Sequence, residues 1–449
     1  MDPAERDATG ARPGHRYWRR NLAVAAVGSF TTIVGMTLIL PILPLYVRDL
    51  GVTSDAAVTT WSGVAYAATF LTAALTAPLW GRLGDRYGRK SMLIRASLGM
   101  AVAMSLIGLA QDVYQLVALR LLAGLLGGYS SGSTILVAAQ APRGRSAWAL
   151  GVLASAIMAG NVIGPLVGGT LAEWLGVEAA FFSVGALIFL AFLATALFLR
   201  EDRSTTSQPA PTPEPASPLP APTPEPTTAA PAPSRARART NPRTTPRTRW
   251  RDLPDRGAIG WLLALSALLM FATVSAEPII TVHIERLGVD GSLALTAALV
   301  FSLTALGTML SGPWLGRLAD RVGHLRVLTI SLACATVLLA AQAVAPNLAT
   351  FAALRFVTGL ALGGITPTVI ATIRRLVPDD SVGLVLGSNV SAQFAGQVTG
   401  PVVAGALGGL LGTSSVFVMT AVVTALGLGV TALVRRRLPE PPPPLAAGR

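Results

Sequence analysis

Charge is scarce in this chain. Asp, Glu, Lys and Arg make up 13% of its 449 residues, where a soluble globular domain is nearer about a quarter. Too little polar surface is available to cover a water-soluble body of this size. A single cysteine, Cys334, excludes a disulfide framework within the chain. The three histidines (His15, His283 and His324) are scattered, so no metal-ligand cluster is expected. Lysine is almost absent: only Lys90 stands among 35 basic residues. The net charge of +13 sits on arginines placed between hydrophobic runs, which makes no basic face for nucleic acid. Gly84 to Ser91 lacks the glycine spacing and the adjacent Gly-Lys of a phosphate loop, so ATP use is not expected. No nucleophile–base or metal constellation is visible, which argues against an enzyme and implies no cofactor.

Long apolar runs are what the chain has in quantity: 52% of its residues are hydrophobic. Asn21 to Val47 and Ala179 to Leu199 are two such runs. About 20 apolar residues in a helix span a hydrocarbon core about 30 Å thick. Backbone groups in lipid must be satisfied internally, so these runs are predicted to be helices. Twelve spans are predicted, near 21–47, 57–80, 91–110, 114–138, 146–171, 179–199, 258–284, 292–315, 326–345, 349–373, 382–410 and 413–434. The first run is too long for a signal-peptide core, so it reads as a retained span with Arg19-Arg20 as its anchor.

Charge placement predicts the orientation. One set of loops carries Arg82, Arg86, Arg89, Lys90, Arg143, Arg145, Arg317, Arg321, Arg326, Arg374 and Arg375, and Arg435 to Arg437 follow the last span. The opposite loops hold Arg48 and Arg286 among seven acids, from Asp49 to Asp290. By the positive-inside rule both termini are cytoplasmic. The predicted layout is a tail over 1–20, a six-helix bundle over 21–200, a linker over 201–256, a second six-helix bundle over 257–434 and a tail over 435–449. The linker is dense in Pro, Thr and Ala and ends in an arginine block from Arg235 to Arg251. Such a composition buries no core and predicts disorder.

The two bundles repeat each other. Pro78-Leu79-Trp80-Gly81-Arg82-Leu83-Gly84-Asp85-Arg86-Tyr87-Gly88 returns as Pro313-Trp314-Leu315-Gly316-Arg317-Leu318-Ala319-Asp320-Arg321-Val322-Gly323. Leu119-Arg120 returns as Leu354-Arg355, Gly160 to Pro165 as Gly396 to Pro401, and Pro41 as Pro278. The offset stays at 235 to 237 residues throughout. Duplicated six-helix bodies meeting face to face enclose a midplane site and expose it alternately to either side. The expected fold class is therefore an all-α polytopic membrane protein of two pseudo-symmetric bundles.

Several motifs carry chemistry. Gly81, Arg82, Gly84, Asp85, Arg86, Gly88, Arg89 and Lys90 form a predicted gating loop between spans 2 and 3, with Asp320 and Arg321 as mates in the second half. Asp85 is placed to meet an arginine or the positive end of a helix, pairing in one rocking state and releasing in the other. Gly160, Gly164 and Gly168 lie four apart on one helix face, flanked by Pro165 and Gly169. Small faces let helices approach closely. Arg120 falls within span 4, and an intramembrane arginine is functional by default, though snorkelling is an alternative. Arg355 reads as more structural. Glu277 is the deepest carboxylate in any span, about 10 Å inside the end of span 7. It could carry a proton, meet a cationic substrate or line a wet vestibule. Asn161, Gln393 and Gln397 are polar candidates for a cavity. Tyr66, Phe70, Tyr129, Phe271 and Phe394 are aromatics that could face substrate or lipid.

The ten residues from Gly81 to Lys90 resemble the motif between spans 2 and 3 of the major facilitator superfamily. Leu119 to Gly124 resembles its span-4 motif, and Gly160 to Gly169 its span-5 antiporter motif. Gly35 with Leu40 to Tyr46 resembles the span-1 signature of the twelve-helix drug:proton antiporters. The resemblance covers nearly the whole chain outside the termini and linker and points to MdtG-type multidrug exporters, especially over Trp61 to Gly169. It implies proton-coupled export of drugs or small amphipathic molecules, with Arg120 in proton coupling and the span-5 motif sealing the halves against leakage. The carboxylate many of these antiporters carry in span 1 is absent; Thr31 and Thr32 stand near its place. The alternatives are import of a small nutrient by facilitation and export of an endogenous secondary metabolite. The expected partners are the bilayer, a small molecule and protons, with the chain monomeric. A sensor or scaffold would need a folded partner-binding domain, which 201–256 does not resemble.

Overall fold

The computed structural model describes residues 17–200, 253, 255–378 and 381–437. Most of the predicted linker and both tails lie outside these residues, as do Asp379 and Asp380. Among the described residues, 12 helices are long and apolar enough to cross a membrane. Spans 1 to 6 are Trp18–Asp49, Asp55–Gly84, Arg89–Ile107, Val113–Gln140, Ser146–Leu175 and Val177–Phe198. Spans 7 to 12 are Arg256–Arg286, Leu293–Val322, His324–Ala343, Leu348–Leu376, Val382–Leu411 and Thr413–Arg437. The chain enters span 1 and leaves span 12 at one end of the molecule, the near end. The loops after spans 1 and 7 mark the far end.

Spans 2, 4, 7, 8 and 10 begin at a side chain that accepts from a free backbone N–H group. Asp112 accepts from the Gln115 amide at 2.8 Å, and its repeat mate Asn347 accepts from Thr350 at 2.9 Å. Ser54 and Ser292 cap spans 2 and 8 in the same way. The predicted gating loop is not a loop. The second helix continues to Tyr87 and the third starts at Arg89, so Gly81 to Arg86 are helical. The whole reversal falls on Gly88, with φ of 90°, and on Gly323, with φ of 105°, in the second half. Only glycine takes that conformation without strain. Arginine and leucine before it are good helix formers, so nothing ends the helix earlier. The side chain of Asp85 lies outside the described part of the structure.

Four spans are broken part-way along. Span 1 breaks at Leu38 and span 4 at Gly127-Gly128. Span 7 breaks at a short 3-10 turn over Glu277–Ile279, and span 10 at Gly363-Gly364. These are repeat-related pairs. Packing follows the same symmetry. Gly124 lies against the backbone of Thr69, and its mate Gly359 against Thr304. Lipid tails supply no hydrophobic drive between helices, so such close approaches hold the bundles together.

The two halves meet along two seams. Span 2 runs against span 11, where Gly405 meets Thr59 and Thr60 and Gly409 meets Ala56. Span 5 runs against span 8, where Gly169 meets Ala294 and Ala298. Both sets of contacts lie toward the far end. Gly383 and Gly387, on the near part of span 11, have open space in front of them. A recess of about 280 Å³ opens there, with Trp80 and Arg95 from one half and Phe394 from the other.

Candidate functional site

Pro278 starts the site. Its ring removes a backbone donor, and span 7 passes through a 3-10 turn at this point. The turn sets Glu277 half-buried on the far-end third of span 7, facing the other half. Tyr66 of span 2 donates its hydroxyl to the Glu277 carboxylate. This bond joins the two halves of the molecule. The Tyr66 ring, itself buried, stacks edge-on with Phe70 at 5.2 Å between centroids.

Arg120 is next to this pair. Its guanidinium Nε donates to the Ala65 carbonyl at 3.2 Å, one residue from Tyr66. The side chain is 2% exposed, which rules out snorkelling to a headgroup. Thr69 in turn donates to the Arg120 carbonyl at 3.1 Å, locking span 4 to span 2. Arg355 is 6% exposed and within electrostatic reach of Glu277. Sequence reasoning gave Arg355 a structural role; the fold makes it a member of the site. The signal was present in its repeat relation to Arg120. Arg120 Nη1 and Arg355 Nε are buried without a partner among the described residues. The cluster thus joins Tyr66, Arg120, Glu277 and Arg355, from spans 2, 4, 7 and 10. A carboxylate at this depth can exchange a proton, and the two guanidiniums beside it can hold a polar group of a ligand.

Other predicted residues fall elsewhere. Asn161 bonds the Ile157 carbonyl of its own helix at 3.2 Å. Gln393 and Gln397 are half-buried on span 11. Thr31 and Thr32 are buried and bond the Gly28 carbonyl. Tyr129 is a core residue whose hydroxyl meets Thr195 Oγ1 at 2.8 Å. The span-5 motif needs a correction. Gly160, Gly164 and Gly168 pack against span 1 of their own half, at Ile33, Thr37 and Leu38. Of the motif's five residues first singled out, Gly169 is the glycine that faces the opposite half, at Ala294 and Ala298. The four-residue spacing specifies a single face, and that face is taken by the neighbour within the bundle.

The far end is closed above this site. Arg48 bonds Glu285 at 2.8 Å and Asp55 at 2.9 Å, and Arg286 lies 3.6 Å from Asp55. Thr281 donates to the Pro41 carbonyl at 2.9 Å, tying the breaks of spans 7 and 1. Ser302 donates to the Val162 carbonyl at 2.7 Å, and Ser292 donates to Glu173. All of these except the Arg48–Asp55 pair cross from one half to the other. His283 is enclosed in the second half between Phe351 and Phe417, with Nδ1 at 2.9 Å from Thr413 Oγ1.

The profile described as the Major Facilitator Superfamily matches residues 25–303 and 293–449. This chain belongs to the major facilitator superfamily. It is 34% identical over 421 residues to the multidrug resistance protein MdtG of Enterobacter lignolyticus, covering 94% of this chain and 93% of that protein. It is 33% identical over 418 residues to MdtG of Proteus mirabilis, covering 93% and 96%. Two solved structures share the fold. One is a bacterial homologue of the human lysosomal transporter Spinster in an inward-facing, unoccupied conformation. Its TM-score is 0.71 at 15% identity, over 94% of this chain and 98% of that one. The other is the human organic anion transporter MFSD10, with a TM-score of 0.62 at 17% identity, over 93% and 100%. As a superfamily member the chain is a multi-pass membrane transporter of small molecules. Its paired bundles and broken helices are the parts on which such transport is built.

Proposed function

We propose that this protein exports drugs or other small amphipathic molecules in exchange for protons, by alternating access. The observation that carries the reading is the bond from Tyr66 to Glu277. A carboxylate within the spans is tied to the opposite half, so its occupancy bears on whether the halves stay closed at the far end. A proton and a donor group of a substrate compete for the same carboxylate oxygens. Competition for one group on alternate half-cycles is exchange. In this structure Tyr66 holds that place. Arg120 and Arg355 keep the pocket polarised while the carboxylate changes state. The MdtG relatives are named for multidrug resistance, which supports the drug-export direction.

The near end is the cytoplasmic one in this reading, since the arginine-rich loops lie there. The membrane is then the inner membrane, both termini are cytoplasmic and the conformation faces inward. The bundles over 21–200 and 257–434 act as the two rocking bodies of a monomer, and 201–256 links them. The segment around Gly88, with Asp85, and its mate at Asp320 and Arg321, serve as the near-end gate.

Everted vesicles containing the full chain test the proposal. Uptake of a fluorescent cationic dye is expected to collapse with a protonophore and to proceed without ATP. Uptake that needs ATP and ignores the protonophore overturns it.

A further inference from the structure

Four arginines gather at the near end of the first half, with no carboxylate between them among the described residues. Arg19, Arg20 and Arg145 line an open recess of about 660 Å³, together with Tyr17 and Trp18. The Arg20 guanidinium lies over the Tyr17 ring at 4.8 Å, and Arg200, at the end of span 6, lies over the same ring at 5.3 Å. Arg19 sits 5.5 Å over Trp18. None of the four makes an ion pair among the described residues. Arg20 Nε and Nη2 are closed off from solvent and have no hydrogen-bond partner there.

The gathering is built, not incidental. Asn21, 1% exposed, donates to the Arg200 carbonyl at 2.7 Å and accepts from the Arg200 amide at 3.1 Å. That clasp fixes the end of span 6 beside the start of span 1 and sets Arg200 over Tyr17. The second half shows what the first lacks. At the offset of 237 that relates Pro41 to Pro278, Trp18 corresponds to Asp255, and at the offset of 236 that relates Gly160 to Gly396, Arg200 corresponds to Arg436, the neighbour of Arg437. Arg437 has its own carboxylate, Asp255, at 3.8 Å. In the first half the place of that acid is taken by an indole. Two guanidiniums stacked on one ring repel each other, and an anion between them removes the repulsion.

We propose that this recess binds a phosphate-bearing anion, with the headgroup of an anionic phospholipid as its source. The guanidinium fork matches the geometry of phosphate oxygens. Trp18 meets Trp148 edge-on at 6.4 Å, and Trp148 is exposed. Tryptophan and tyrosine at a span end sit at headgroup level. Basic pockets between spans on the cytoplasmic side take anionic headgroups. The bound headgroup completes in trans the ion pair that Asp255 completes within the chain, and fastens span 6 to span 1.

The test is thermal unfolding of the delipidated full-length protein in a neutral detergent. Three additions are compared: phosphatidylglycerol, phosphatidylcholine and sodium phosphate. Phosphatidylglycerol is expected to raise the midpoint by about 2–4 °C, and phosphatidylcholine to leave it unchanged. The variant R20Q/R145Q/R200Q is expected to lose the rise. The charge-matched variant R374Q/R375Q/R435Q, changed at three exposed arginines elsewhere at the near end, is expected to keep it. A second, independent variant is Trp18→Asp, which supplies the acid found in the second half and is expected to abolish the response to phosphatidylglycerol. Sodium phosphate reproducing the rise would support the same site with a soluble source. An equal rise with phosphatidylcholine, or a full rise in both R20Q/R145Q/R200Q and Trp18→Asp, overturns the proposal.

Discussion

Arg48 and Glu285 occupy the same position in the two halves and bond to each other across the seam at 2.8 Å. Their offset of 237 is that of Pro41 and Pro278. A residue near a two-fold axis meets its own mate, so identical charges there would repel. This chain avoids that by reversing sign: Arg48-Asp49 in the first half faces Glu285-Arg286 in the second. Duplication supplied the contact, and divergence made it attractive.

The first prediction concerns that contact. An exposed ion pair contributes about 0.2–1 kcal/mol. Arg48→Gln or Glu285→Gln should therefore move the far-end closure equilibrium about 1.4- to fivefold toward opening. The double variant should be no worse than the worse single one. Labelling of a cysteine at Gln397 from the far side, in a Cys334→Ser background, measures it. Additive effects would show that the two side chains do not act as a pair.

Tyr66→Phe removes the bond to Glu277 and keeps the ring against Phe70. A hydrogen bond to a charged group contributes about 1.5–3 kcal/mol, so closure should weaken on the order of ten- to a hundredfold. The same labelling assay reads it. Unchanged accessibility would make Tyr66 a packing residue only.

Glu277→Gln should abolish protonophore-sensitive export and flatten its pH dependence, while membrane insertion stays normal. Vesicle transport at several pH values, with a surface-expression control, tests this. Full coupled transport in the variant would return Glu277 to a wet vestibule role.

The span-5 glycines should separate into two behaviours. A methyl on Gly169 would stand 2.6 Å from Ala298 Cβ and 2.7 Å from the Ala294 carbonyl, across the seam. Gly169→Val should open the far end. A methyl on Gly160 would stand 2.9 Å from Ile33, within its own half. Gly160→Val should lower stability by about 1–3 kcal/mol and leave accessibility alone. Thermal unfolding and labelling of both variants separate the effects.

Asp85→Asn is expected to slow cycling with near-normal expression. Turnover at the wild-type rate in vesicles would remove Asp85 from the gate.

Apolar runs of membrane length, the arginine asymmetry and a constant repeat offset were enough to set the span count, the pairing of the halves and the candidacy of Arg120 and Glu277. Those features are local or periodic, and lipid forces the apolar runs to be helical. Where Gly81 to Arg86 turn was misread, because helix formers before Gly88 carry the helix past the motif. The partner of Glu277 was not legible, since Tyr66 lies 211 residues away in the chain. Nor was the face taken by Gly160, Gly164 and Gly168, because a small-residue stripe specifies closeness and not which helix comes close. Only the packing of one bundle on the other decided those partners, along with the closed far end. These are relations between surfaces that no single stretch of chain contains.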